Sequence, residues 1–227
     1  MEHVLDNPVW NALISGNKLL CYGSGQVKYF DKDVSPFAGF DEISNEKFDL
    51  LHDLLPYKRP ALIVSPMEII VPGNWKILAV VTGLQMVHNA ESNVGAVNIT
   101  PVPLTHEHAP EMLSLAKLTN PGPFELNTIA FGHYYGIFNE VKLAAMAGQR
   151  MHVFNYAEVS AVCTHPDYTG KGYARQLLIH QINRIRAASN IPFLHVRNDN
   201  ERAIALYKSM GFVTRKEIHF YAIVKAE

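Results

Sequence analysis

The spacing of apolar residues in the second half of the chain predicts a mixture of helices and strands. Over residues 172–188 apolar side chains recur at helical spacing, and the opposite face is basic. This apolar face consists of Ala174, Leu177, Leu178, Ile182 and Ile185. A second helix is predicted over residues 201–210, ending before Gly211. Strand-like runs surround these helices, at residues 133–139, 141–147, 157–164, 193–197 and 213–224.

Before residue 133 the spacing of apolar residues gives a weaker indication of helices and strands. Helices are predicted over residues 8–15, 45–55, 106–118 and 125–130. Strands are predicted over residues 18–22, 26–30, 61–64, 75–87 and 97–102. Because residues 88–93 are polar, we place a domain boundary after residue 93. Residues 1–93 then form a smaller α/β region, and residues 94–227 form a second domain.

Composition and charge limit the kinds of partner this chain can have. Its 227 residues are 48% hydrophobic and 18% charged, which favours a globular domain over a disordered segment or a coiled coil. The net charge is −1 and no block of like charges occurs, so we expect no nucleic acid partner. A small partner is therefore favoured.

The sequence has no clear signal for a membrane span, a signal peptide or a metal site. Its longest apolar stretch falls short of the roughly 20 residues that span a bilayer, and Met1-Glu2-His3 does not resemble a signal peptide. We therefore expect no membrane partner and a cytoplasmic location. Cys21 and Cys163 are the only cysteines, and the pair His106 and His108 has no further ligand at suitable spacing, so we expect no metal. The oligomeric state stays unknown from the sequence.

One segment between a predicted strand and a predicted helix has the features of an anion-binding turn. It reads His165-Pro166-Asp167-Tyr168-Thr169-Gly170-Lys171-Gly172-Tyr173-Ala174. Its two glycines allow backbone amides to converge at a helix N-terminus, where phosphate groups bind. The spacing matches neither a Walker loop nor a Rossmann fingerprint. Taken alone, the segment could equally be a helix-entry turn without a ligand.

The same segment resembles the pyrophosphate-binding signature Arg/Gln-x-x-Gly-x-Gly/Ala of the GNAT superfamily of acyl-CoA-dependent N-acyltransferases. Thr169 stands where the family has Arg or Gln, which removes one side-chain contact. A second family block follows as Asn200-x-x-Ala203-x-x-Leu206-Tyr207-Lys208-x-Met210-Gly211-Phe212. The resemblance covers about residues 97–227 and is closest to the glycine N-acyltransferase-like branch. In that branch a degenerate acyltransferase-like half can precede the active one, which is one interpretation of residues 1–93.

The resemblance implies a fold and an activity. The fold is a mixed, largely antiparallel sheet flanked by helices and opened by a cleft for acyl-CoA. The implied reaction moves an acetyl or short acyl group from acetyl-CoA, a co-substrate, to a primary amine by direct attack in a ternary complex. The acceptor would be a small molecule or a peptide. The alternative is a non-catalytic acyl-CoA-binding regulatory module.

Cofactor-binding residues follow from the same resemblance. Val162 and Thr164, on the strand before the turn, are expected to hydrogen-bond the pantetheine arm. Asn200 could touch the cofactor, cap the following helix, or do both. The phosphates are expected to contact the turn and the start of its helix, at Thr169, Gly170, Lys171, Gly172, Tyr173, Ala174 and Arg175.

Two residues are candidates for proton transfer. Strand alternation puts Glu158 on one face with Val162, unless a bulge intervenes, so its carboxylate could act as the base directly or through water. The alternative is a surface carboxylate. Tyr207 matches the family position whose hydroxyl protonates the departing thiolate. Without the resemblance, Tyr207 would be interpreted as a core residue at helical spacing from Ala203 and Gly211.

Overall fold

The computed structural model describes residues 3–55, 59–89, 91 and 94–226. Within these ranges the α-helices are α1 (Pro8–Ile14), α2 (Asn45–Leu54), α3 (Ala109–Thr119), α4 (Tyr173–Ala187) and α5 (Glu201–Ser209). Short 3-10 turns occur at Val4–Asp6, Lys18–Leu20, His106–His108, Thr128–Phe131 and Pro166–Tyr168.

The strands form one large sheet and one small sheet. They are β1 (Cys21–Gly23), β2 (Val27–Phe30), β3 (Ala38–Phe40), β4 (Ala61–Ser65), β5 (Trp75–His88), β6 (Val102–Pro103), β7 (Tyr135–Asn139), β8 (Lys142–Val153), β9 (Tyr156–Thr164), β10 (Ile191–Arg197) and β11 (Phe212–Lys225). The large sheet has the order β4-β11-β5-β10-β9-β8-β7-β6, and β1-β2-β3 form the small one. In the large sheet β9 and β10 are parallel and the other neighbours are antiparallel. The predicted mixed, largely antiparallel sheet flanked by helices is confirmed.

Helix boundaries follow local capping signals. Ser44 Oγ accepts a hydrogen bond from the amide of Lys47 at 3.4 Å before α2, and Asn200 Oδ1 accepts from the amide of Ala203 at 3.1 Å before α5. Gly211, at φ +90°, follows α5 as the predicted stop. The predicted helices 45–55, 172–188 and 201–210 are thus confirmed within two residues. No helix in the described part of the chain is long and apolar enough to cross a membrane.

Of the predicted strand over residues 97–102, only Val102 lies in a strand, the two-residue β6. The reason lies in the hydrogen bonds of this segment. The amides of Asn98 and Ile99 donate to the side-chain Oε1 of Gln176 on α4, at 2.7 and 3.4 Å, rather than to a neighbouring strand. A strand without such a ladder has no partner, so the prediction was wrong for most of this segment.

Apolar layers cover both faces of the large sheet. Phe193 packs with α1 and α3 in one cluster, whereas the next residue, Leu194, packs with α4 in another. Because successive strand residues point to opposite faces, these clusters lie on opposite sides of β10. Helices α4 and α5 therefore share one face, and the N-terminal segment with α3 covers the other.

The predicted domain boundary after residue 93 lies outside the described residues. Strand β5 precedes this boundary, yet it pairs with β11 on one side and with β10 on the other. Residues before the boundary thus contribute a central strand of the large sheet. The division of the chain into residues 1–93 and 94–227 stays a prediction.

Candidate active site

The segment between β9 and α4, which we call the glycine turn (residues 169–174), contains two left-handed glycines. Gly170 has φ +81° and Gly172, the N-cap residue of α4, has φ +77°. A Cβ at either position would meet no atom within 4 Å. The backbone conformation, rather than lack of space, therefore requires glycine at both positions.

Backbone amides at the start of α4 are free to bind an anion. The first helical hydrogen bond runs from the amide of Gln176 to the carbonyl of Gly172, at 3.1 Å, and no side chain caps the helix. No described residue accepts a hydrogen bond from the amides of residues 170–175. These donors, together with the helix dipole, favour a phosphate group at this end of α4.

The side chains of the glycine turn have different roles. Thr169 Oγ1 donates to the carbonyl of Pro166 at 2.9 Å, so the residue that departs from the family signature stabilises the turn. Lys171 is exposed, with Nζ 4.9 Å from the centroid of the Tyr168 ring. Arg175 is also exposed and donates to Ser209 Oγ at 3.3 Å, which joins α4 to α5. Both residues stay predicted phosphate contacts.

Strands β9 and β10 are neighbours only at their beginnings. Their parallel pairing ends at Phe193 and Glu158. Beyond that point β9 pairs with β8 as far as Thr164, and β10 pairs with β5 as far as Arg197. A gap therefore opens between β9 and β10 towards the glycine turn, and the strand edges that line it have no partner strand.

A β-bulge interrupts β9 where the gap opens. Ala161 has φ +52°, and the register with β8 shifts so that Ala161 and Val162 together oppose one β8 residue. Val159, before the bulge, and Val162, after it, both pack on the α4 face, whereas Ala161 packs on the opposite face. The bulge thus reverses the alternation along β9.

The bulge corrects the expected position of Glu158. Glu158 and Val162 do not share a strand face, because the extra residue puts them on opposite sides of the sheet. Cys163 follows the bulge and packs on the side away from α4, where burial raises the pKa of its thiol to about 12. Cys163 is therefore a buried core residue.

The surroundings of Glu158 are unsuited to a general base. The residue is 0% exposed, and its carboxylate accepts hydrogen bonds from Arg150 Nη2 at 2.6 Å, Arg150 Nε at 2.9 Å and His195 Nδ1 at 2.7 Å. Burial alone would raise the pKa of this carboxyl, but the Arg150 guanidinium, aided by His195, holds it well below its usual range. The interpretation of Glu158 as a surface carboxylate is therefore wrong, and its role as the catalytic base stays a prediction that these contacts oppose.

Glu158 belongs to a buried network that the sequence analysis missed. His195 Nε2 accepts from Gln85 Nε2 at 3.0 Å, and Gln85 Nε2 also donates to the carbonyl of Leu5 at 2.8 Å. We call Arg150, Glu158, His195 and Gln85 the Glu158 cluster. One sequence signal could have revealed it: Arg150 lies within an apolar strand, and a buried cation needs an acidic partner.

Tyr207 lies on α5, on the face of the sheet that carries α4. Its ring is partly buried, with its centroid 6.0 Å from that of Phe212. Burial raises the pKa of its hydroxyl to about 12, so the proton is retained at neutral pH. The hydroxyl makes no hydrogen bond to any described residue. Its chemistry suits a proton donor, and its catalytic role stays a prediction.

Thr164 and Asn200 were both expected to contact the cofactor. Thr164 Oγ1, at the turn end of the gap, is buried, and no described residue hydrogen-bonds it. An unpartnered buried hydroxyl is what a polar ligand arm in the gap would satisfy. Asn200 caps α5, and this role is compatible with a ligand contact. Val162 packs beside α4 at the bulge.

Three comparisons with known proteins bear on the family of this chain. A family model described as FR47-like protein matches residues 134–221. N-alpha-acetyltransferase RimI from Mycobacterium tuberculosis (strain ATCC 25618 / H37Rv) is 37% identical over 84 residues, which are 35% of this chain and 51% of that protein. The crystal structure of a GNAT-family protein from Novosphingobium aromaticivorans DSM 12444 is 34% identical, with a TM-score of 0.91 over 100% of both chains. The chain belongs to the GNAT family.

Every predicted site residue of this GNAT chain lies within the region that the family model matches, residues 134–221. A GCN5-related N-acetyltransferase from Kribbella flavida has a TM-score of 0.59 and 15% identity over 93% of this chain and 95% of its own, which is a likeness of fold alone. The chain spans about half the length of the RimI protein.

Proposed function

We propose that this GNAT chain transfers an acetyl or other short acyl group from acyl-CoA, with acetyl-CoA as the co-substrate, to a primary amine bound at the same time. The observation that carries the proposal is the gap between β9 and β10 and its position beside the glycine turn. A long thioester substrate lying in this gap would bring its phosphates to the free amides of residues 170–175. The two features together fit one ligand.

Binding would use backbone groups more than side chains. The unpaired edge of β9 offers amides and carbonyls to the amide groups of the pantetheine arm, and Thr164 Oγ1 adds a hydroxyl. The exposed side chains of Lys171 and Arg175 add positive charge near the phosphates. The amide of Val162, at the bulge, would donate to the carbonyl oxygen as negative charge develops on it.

Tyr207 would protonate the departing thiolate. Its burial keeps the hydroxyl protonated at neutral pH, and no hydrogen bond to a described residue competes for that proton. A group that supplies a proton as the carbon–sulfur bond breaks typically contributes 10²–10⁴-fold to the rate.

The amine must lose a proton to become a nucleophile, and we propose that water removes it. Glu158 was the expected base, but its carboxylate is occupied by Arg150 and His195, and its pKa is held too low to take a proton near neutral pH. Water in the open gap next to the bulge can reach an amine there. This route leaves the Glu158 cluster with a structural role.

Two classes of acceptor remain in this proposal, each supported by a different resemblance. The RimI relative is named as an N-alpha-acetyltransferase, which favours the α-amine of a peptide. The glycine N-acyltransferase-like branch, proposed from the sequence motifs, favours a small amino acid. Thiol release from acetyl-CoA, measured separately with pooled peptides and pooled free amino acids at pH 8, distinguishes them.

A matched pair of variants tests the binding step. Gly172→Glu puts a carboxylate at the free amides and forces a side chain into the left-handed conformation, so calorimetry should detect no acetyl-CoA binding. Gly73→Glu adds the same charge at an open position without a left-handed φ and should bind like the wild type. Equal binding by both variants would contradict the proposed site. Binding without thiol release from any amine would favour the acyl-CoA-binding module.

A further inference from the structure

The first half of β5 has one side without a partner strand. On its other side β5 pairs with β11 along its whole length. The pairing with β10 covers only Gly83 onwards, and the last hydrogen bond there runs from the amide of Asn198 to the carbonyl of Thr82 at 3.2 Å. No described strand pairs with this side of residues 76–81, which we call the free edge.

The free edge is apolar and exposed to water. It reads Lys76-Ile77-Leu78-Ala79-Val80-Val81, with one charged residue in six. Its large side chains are nearly half exposed, at 44% for Ile77 and 49% for both Leu78 and Val80. An exposed apolar surface on an unpaired sheet edge is typical of an interaction surface.

Two of these side chains lie on the face of the sheet that α2 covers. Val80 is opposite Tyr221 of β11 and Ile77 is opposite Ile223, and both of these β11 residues pack with α2. Leu78 is the extra residue of a β-bulge, because the register with β11 shifts there. The bulge shortens the ladder of hydrogen bonds that the free edge can form, so a partner would be held mainly by apolar packing.

The loop between β4 and β5 enlarges the apolar surface on the same face. The amide of Ile69 donates to the hydroxyl of Tyr221 at 3.1 Å, so the loop crosses β11 close to the free edge. The loop exposes 68% of Met67 and 88% of Ile70. Together with the three large side chains of the free edge, they expose roughly 600 Å², which is most of the roughly 800 Å² that each partner contributes to a standard interface. We call these five side chains the β5 patch.

We propose that the β5 patch is the contact surface between two copies of this chain, with their free edges antiparallel about a two-fold axis. A two-fold axis perpendicular to the sheet reverses the strand direction, so the same edge of both copies can meet itself. The axis also puts the α2 faces of both copies on the same side, where Val80 of one copy meets Ile77 of the other. Leu78 and Ala79, in the middle of the free edge, lie next to the axis.

Charge and shape favour a second copy over other partners. Lys76 is the charged residue of the free edge, and antiparallel pairing puts the two copies of Lys76 at opposite ends of the contact. The net charge of −1 causes little repulsion between copies, and the β5 patch has no cluster of charges that a nucleic acid or a strongly charged protein would need. An extended peptide could pair with the free edge alone, but it would leave Met67 and Ile70 exposed, whereas a second copy covers them with its own apolar side chains.

Analytical ultracentrifugation of the full chain tests this interface. The wild type should sediment as a dimer at micromolar concentration. Val80→Lys should weaken the association about tenfold or more, because the two-fold axis brings two added charges into one apolar contact. Val141→Lys, at a 91% exposed position in the turn between β7 and β8, is the matched control and should remain a dimer. A monomeric wild type, or a dimer that Val80→Lys leaves intact, would overturn the proposal.

Chemical cross-linking covers the case in which Val80→Lys folds poorly. Cys21 is partly exposed and Cys163 is buried, so the experiment uses a Cys21→Ser background. Ala79→Cys puts a thiol next to the proposed axis, and a short bismaleimide should join two copies covalently. Val141→Cys, which is equally accessible but remote from β5, should give only singly modified monomers. Equal cross-linking of Ala79→Cys and Val141→Cys would overturn the proposal.

Discussion

The glycine turn follows β9, the strand that carries Glu158, yet the turn and the Glu158 cluster are built differently. The turn consists of consecutive residues, uses backbone amides, and has open space around both glycines. The Glu158 cluster joins side chains of β5, β8, β9 and β10, all removed from water. A local turn of this kind can bind a ligand without affecting the core. A cluster that joins four strands contributes mainly to the stability of the fold.

Glu158→Gln should produce the largest effect and should act on stability. The variant keeps the shape of the side chain but leaves the buried Arg150 without a counter-ion, so the free energy of unfolding in urea should fall by about 3–5 kcal/mol. Glu217→Gln, at an exposed position on β11, should change it by less than about 0.5 kcal/mol. A Glu158→Gln protein that is fully stable but inactive would restore the role of catalytic base.

Tyr207→Phe should affect turnover and leave stability nearly unchanged. The ring and its contact with Phe212 are kept, but the proton donor is lost, so kcat should fall about 10²-fold, equivalent to about 2.7 kcal/mol. kcat/KM should fall in parallel, as for an interaction made only in the transition state. Tyr22→Phe, an exposed position, serves as the control. Full activity with a lower melting temperature would identify Tyr207 as a core residue only.

The stability that the Glu158 cluster contributes should depend on pH, because it depends on the charge of Glu158. The pKa of Glu158 is lowered on folding, so its contribution is fully present above its unfolded pKa and is lost as the pH falls towards the folded value. The stability difference between the wild type and Glu158→Gln should therefore shrink by about 2 kcal/mol between pH 7 and pH 3. A difference that stays constant in urea titrations at both pH values would contradict the ion pair.

Gly172→Ala should have the smallest effect and should act mainly on ligand affinity. Alanine at φ +77° costs roughly 1–2 kcal/mol, and the turn can relax by withdrawing its amides from the phosphate position. The affinity for acetyl-CoA should fall about tenfold in calorimetry, with little change in the core. Gly73→Ala, at an open position, is the matched control. Wild-type affinity in Gly172→Ala would show that the turn does not need this conformation.

Much of the helical framework could be predicted because its signals are local. Ser44 and Asn200 cap their helices as their residue types favour, and the apolar stripe of α4 packs on the sheet. The strand over residues 97–102 was predicted wrongly, because the side chain of Gln176, remote in sequence, takes up its amides. Hydrogen-bond partners of this kind are not encoded near the segment they affect.

The candidate site also has one part that could be predicted from local sequence and one part that could not. The pattern of Gly170 and Gly172 by itself determined the conformation of the turn, since few residues other than glycine adopt φ near +80°. The bulge at Ala161 could not be predicted from alternation, and it moved Glu158 to the other face of the sheet from Val162. Whether a glutamate is a base or half of an ion pair depends on which cation is buried beside it.

The sequence by itself therefore determined most of the helices, the conformation of the glycine turn and the family resemblance, because each depends on neighbouring residues or on short motifs. Only the tertiary structure decided that Arg150 and His195 occupy the Glu158 carboxylate, that β9 and β10 separate after Glu158, and that Arg184 donates a hydrogen bond to His133. These contacts join strands and helices far apart in the chain. Their energies come from desolvation and charge pairing, which exist only once the chain is folded.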